Sequence, residues 1–135
     1  MRKALKPCIL VTALSAASLL SSPAWAQSTT WDAYEVQAAK QIIQANENQT
    51  YYGEPPVILA AIPVLEVSLN EDGSIENIRV VREPENDPEA AQYAIDAVMR
   101  AAPFPPVADM PKPWDFTETF LYDWALRFQL RALQP

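Results

Sequence analysis

No histidine occurs anywhere in the 135 residues, cysteine occurs once, at Cys8, and glycine only twice, at Gly53 and Gly73. Each shortage removes chemistry. Without histidine, and with the one cysteine close to the N-terminus, a folded domain further along has no Ser–His or Cys–His nucleophile pair. It also has no imidazole or thiolate metal site. Two isolated glycines cannot form the loop that cradles a phosphate. A disulfide framework is excluded as well, so stability must come from the apolar half of the composition (50% hydrophobic residues). No metal, no cofactor and no small-molecule substrate is expected.

The first 26 residues, "MRKALKPCILVTALSAASLLSSPAWA", read as a secretory signal. Arg2, Lys3 and Lys6 precede an apolar stretch, and Ala24 and Ala26 stand either side of Trp25 in the A-x-A pattern that a signal peptidase cuts. Serines at 15, 18, 21 and 22 interrupt the apolar run, which argues against a spanning helix of about 20 apolar residues. Residues 1–26 are therefore expected to be a signal peptide, and 27–135 one small domain delivered to the periplasm. All 17 acidic residues fall in that domain, against seven basic ones, a net charge of −10. Such a surface repels phosphate backbones, so nucleic acid is not an expected partner.

Periodicity orders the domain. "TTWDAYEVQAAKQIIQAN" predicts a helix from Trp31 to Ala45, capped by Thr29 or Thr30, with Val36, Ala39 and Ile43 on one face. In "VLEVSLNEDGSIENIRVV", Leu65, Val67 and Leu69 alternate with polar residues, as do Ile78 and Val80. Asp72-Gly73 between them predicts a β-hairpin. Asp87 and Pro88 open a second helix, whose expected apolar face is Ala91, Ile95, Val98 and Ala102. "APFPPVADMPKP" then forces a rigid, extended connector, since proline ends helices and donates no hydrogen bond to a sheet. Asp115–Tyr122 predicts a strand, and alternation at Phe128, Leu130 and Ala132 a last one. The expected fold class is α+β, a small antiparallel sheet with two helices on one face.

The pieces in this order resemble the C-terminal domain shared by TonB and TolA. The resemblance rests on the hairpin around an acidic-Gly turn, the helix and exit "PENDPEAAQYAIDAVMRAAPFPP", and the aromatic strand "FTETFLYDWALRFQL", and it covers about Val64 to Leu130. The sequence departs from the family at "EPENDPEA", where a Ser-Gly pair is usual. It also shows no long Pro-rich spacer ahead of the domain, so coupling to an inner-membrane motor is not expected.

The resemblance implies a non-enzymatic periplasmic module that binds proteins in envelope transport. Its partner would be an envelope protein such as an outer-membrane receptor, or that receptor's extended segment, added as a strand to the sheet edge. The residues implied are Thr117, Thr119, Leu121 and Tyr122, or Phe128 and Leu130 if that strand lies outermost. Trp124 joins them as an aromatic beside a turn. A self-associating structural component, with a second copy as partner, is the alternative. Phe120 and Phe128 are expected in the core. Alternation sends most of the strand carboxylates (Glu66, Glu76, Asp115 and Glu118) to solvent, so a paired-carboxylate hydrolase is not expected.

Overall fold

The computed structural model describes residues 30–135; the expected signal peptide and its cleavage point lie outside the described residues. Helix α1 runs Trp31–Ala45, strand β1 Val64–Leu69, β2 Ile75–Arg82, helix α2 Glu89–Ala101, β3 Asp115–Tyr122 and β4 Phe128–Leu130. The four strands form one antiparallel sheet in the order β2-β1-β3-β4. Both helices lie on the face that carries Leu65, Val67, Phe116 and Phe120, enclosing a single core. The architecture is α+β, as the pattern of elements predicts.

Local chemistry explains the element boundaries. The Thr30 hydroxyl accepts the Ala33 N–H at 3.2 Å and caps α1. Asp87 does the same for α2, its carboxylate accepting the Glu89 N–H at 3.2 Å while Pro88 sits in helical conformation. In the hairpin, Asn70 and Ser74 exchange a backbone bond, and the Asp72 carboxylate accepts both the N–H and the hydroxyl of Ser74.

The helices bury part of the expected faces: Ala39, Ala91 and Val98 are buried as expected, whereas Val36, Ile43, Ile95 and Ala102 are not. In α1 the buried residues are Tyr34, Ala38, Ala39 and Ile42; Val36 is exposed and Ile43 half-buried. In α2 they are Ala90, Ala91, Ala94, Ala97, Val98 and Ala101, with Ile95 only partly covered. The two helices contact each other, and small alanines let their axes come close in a way that β-branched side chains would prevent. Close approach outweighs the extra apolar area that Val36 or Ile95 would offer.

The proline connector, residues 102–114, is held from both sides. From α1, the Gln41 amide donates to the carbonyls of Ala101 and Pro103 (2.6 Å each), the Tyr34 hydroxyl to Pro105 (2.7 Å) and the Trp31 indole to Pro111 (2.9 Å). From the hairpin, the carbonyl of Gly73 accepts the Phe104 N–H (2.9 Å) and that of Glu71 the Val107 N–H (3.0 Å). A stretch poor in donors is thus fixed mainly through its carbonyls, and it plants Phe104, Val107 and Met110 in the core.

Candidate functional site

β3 is an interior strand, so the expectation that Thr117, Thr119, Leu121 and Tyr122 form the edge of the sheet is corrected. Thr117 and Thr119 pair with Glu66 and Val64 of β1, and Leu121 and Tyr122 pair with Gln129 and Phe128 of β4. Tyr122 is buried against Phe120 and Phe128, and Leu121 is buried on the opposite face. Phe120 and Phe128 are core residues, as expected. β4 is outermost but only three residues long, because the chain bends into a 3-10 turn at Arg131–Leu133 where a longer strand was expected.

The edge of β4 is covered. Thr50 bridges Phe128 in parallel, the Tyr51 N–H reaches the Phe128 carbonyl at 3.3 Å, and the Gln129 amide donates to the carbonyls of Tyr51 (3.0 Å) and Gly53 (2.7 Å). At the other end of the sheet, β2 pairs, among the described residues, with β1 alone. Register shifts at Glu76 and Val81 and the charges of Glu76 and Arg82 blunt its two ends, a usual defence of open edges. Between the shifts, Asn77–Val80 stays regular. A single exposed ion pair, Glu66–Arg79 at 3.2 Å, crosses the outer face.

Trp124 lies where an aromatic beside a turn can serve recognition. It is 69% exposed in the β3–β4 turn, and its indole N–H donates to the Ile58 carbonyl at 3.1 Å. Val57, Ile58 and Leu126 are exposed too. The Asp123 carboxylate accepts the N–H groups of Ala125 (3.0 Å) and Arg127 (2.8 Å) and pairs with the Arg127 guanidinium, which fixes the turn. Leu126 is held there at φ 58°, unusual for a bulky residue. A neighbouring cleft of about 310 Å³ separates residues 59–62 from the end of β2 and the loop after it, residues 82–86. No sequence periodicity flags residues 57 and 58, because their exposure depends on where the loop is pinned.

Glu118 departs most from the sequence reading. It shares the core face of β3 with Phe116 and Phe120, opposite Leu65 of β1, and is 1% exposed. Neither carboxyl oxygen has a hydrogen-bond partner; the N–H groups of Thr119 and Ala132 favour its charged form without reaching bonding geometry. Burial raises its pKa to about 8, and the nearby Glu35 carboxylate pushes in the same direction. Glu35 itself is raised, first by burial, with the Thr117 N–H opposing and Asp32 adding.

Among the described residues no cluster of acidic, cysteine or histidine side chains could hold a metal ion, and no helix is long and apolar enough to cross a membrane. Comparison with protein-family models, with curated proteins and with solved structures finds no match.

Proposed function

We propose that the chain is a protein-binding module of the cell envelope, similar to the C-terminal domains of TonB and TolA, and that it takes an extended partner segment by strand addition. The partner class is an envelope protein, with the periplasm-facing segment of an outer-membrane receptor as the leading instance. The observation that carries this reading is the state of the two sheet edges. β4 is sealed by residues 50–53, whereas among the described residues no other strand is bonded to the outer side of β2. Its regular middle, Asn77–Val80, would supply main-chain bonds, and Val81, 48% exposed, would supply apolar contact.

A photo-crosslinking residue placed at Asn77 or Val81, with one at Gln92 on the exposed side of α2 as control, tests this in intact envelopes. Adducts of one defined mass from both β2 positions and none from Gln92 are expected. Adducts at all three positions, or none at β2, would overturn strand addition at this edge.

The apolar patch around Trp124 favours a second reading, in which the domain self-associates as a structural component. Crosslinks from position 124 at twice the chain mass, together with a dimer in sedimentation that Trp124→Ser abolishes, would favour it.

A further inference from the structure

We propose that the C-terminal turn Arg131–Leu133 is a strap that closes over the outer side of β3 and is held shut only while Glu118 is a neutral acid. Among the described residues, β3 on its outer side meets β4 at Phe120–Tyr122 and no strand at Asp115–Thr119. The chain leaves β4 at Leu130 and turns, packing against both β3 and α1, with Ala132 and Leu133 partly buried on the core. The carboxyl group of Glu118 lies beneath this closure, fully buried, with neither oxygen bonded.

The charges around Glu118 give the strap its direction. α1 presents the Glu35 carboxylate, itself beside Asp32. β1 presents Leu65, which is uncharged. The turn carries Arg131, which is exposed; the ion pairs among the described residues are Glu66–Arg79 and Asp123–Arg127. Among the described residues no cation therefore pairs with Glu118 to stabilise its ionised form in place. A second negative charge beside Glu35, in a site closed to water, is relieved when water reaches it. The thinnest cover is the three-residue turn, secured by the Gln134 amide on Gln129 (2.9 Å) and Leu130 (3.4 Å) and by small apolar contacts. Lifting it uncovers the carboxyl group of Glu118 and leaves the β1–β2 and β1–β3 pairing intact.

Trypsin reports the motion directly, because it cuts after Arg131 inside the strap. Cleavage there is compared between the wild type and Glu118→Gln at each pH from 6 to 9, so that the enzyme's own pH profile cancels. The wild type should already be cut faster than Glu118→Gln at pH 6. The ratio should climb by more than about tenfold between pH 6 and pH 8 and level off above it, because ionisation favours opening between the ordinary carboxyl value of 4.5 and the buried value of about 8. Circular dichroism should stay native throughout. A rate ratio that does not change with pH overturns the proposal. So does loss of the native spectrum in step with cleavage, which would mean global unfolding. Should Glu118→Gln not fold, carbon-13 titration of the wild-type Glu118 carboxyl decides the matter. A midpoint near 8 together with shifting Ala132 and Leu133 amides sustains the strap; an ordinary carboxylate midpoint, or unmoved amides, ends it.

Discussion

Gly73→Ala and Gly53→Ala form a matched pair that isolates what the proline connector contributes to stability. Both glycines have positive φ, +88° at Gly73 and +90° at Gly53, so a Cβ is strained at either by about 1 kcal/mol. Their surroundings differ completely. A Cβ at Gly53 meets nothing within 4 Å, whereas at Gly73 it would collide with the Phe104 carbonyl oxygen and come within 2.7 Å of that of Pro105. These are backbone atoms, so no side chain can rotate out of the way; the connector must back off the hairpin. That movement breaks the Phe104–Gly73 and Val107–Glu71 bonds, about 1 kcal/mol each. It also loosens Phe104 and Val107 in the core, at a further cost of about 1–2 kcal/mol. Gly73→Ala should therefore destabilise by about 4 kcal/mol, against about 1 for Gly53→Ala. In thermal unfolding followed by circular dichroism, a domain of this size should show a Tm difference of more than about 12 °C between the two variants. Equal Tm values would refute the docking of the connector on the turn.

Tyr34→Phe removes the hydroxyl that holds the Pro105 carbonyl and should cost about 1–2 kcal/mol in urea unfolding, with the fold unchanged. Leu126→Gly relieves a left-handed conformation at an exposed position and should stabilise by about 0.5–1 kcal/mol in the same assay, a rare gain from introducing glycine. For Glu118 the folded pKa of about 8 lies above the ordinary 4.5, so the unfolded chain releases this proton first. Its presence is harmless below pH 4.5, and it costs stability progressively as pH rises towards 8. Glu118→Gln should hence be more stable than the wild type at pH 7, by up to about 3 kcal/mol, and no more stable at pH 4. A variant less stable than the wild type at pH 7 would contradict the buried, unpartnered placement.

Much of the fold is legible in the sequence because its boundaries rest on local chemistry. Thr30, Asp87 and the Asp72-Gly73 turn act through their immediate neighbours, so α1, the start of α2 and the hairpin fall where residue patterns place them. What was not legible depends on contacts between distant segments. The buried stripes of α1 and α2 follow alanines that matter only once the helices meet, and a single helix's hydrophobic pattern favours Val36 and Ile95 instead. The state of each sheet edge is equally non-local. Nothing near Phe128 in the sequence indicates that Thr50 and Tyr51, almost 80 residues earlier, will seal β4 through Gln129. Strand addition was expected at the last aromatic strand. Among the described residues no segment returns to pair with the outer side of β2.

The short β4 and the buried Glu118 are one feature. Phe120 stands opposite Leu130 and Tyr122 opposite Phe128, so a β4 continued in register would set Ala132 opposite Glu118. The chain instead turns at Arg131, and Ala132 approaches Glu118 from the turn, its N–H near the carboxyl without bonding it. A continued strand would have carried Ala132 and Leu133 along β3, away from the lower part of α1 where Leu133 now closes the core. The sheet gives up the ladder bonds that lengthening β4 would bring, and in exchange the C-terminal segment caps the space between α1 and β3. The sequence reading sends most of the strand carboxylates to solvent, yet Glu118 lies on the same face as Phe116 and Phe120, under a cover that comes from a distant turn. An acid on a core face is tolerable where that cover is thin enough to open, and the three-residue turn, tied by Gln134 alone among side chains, is such a cover.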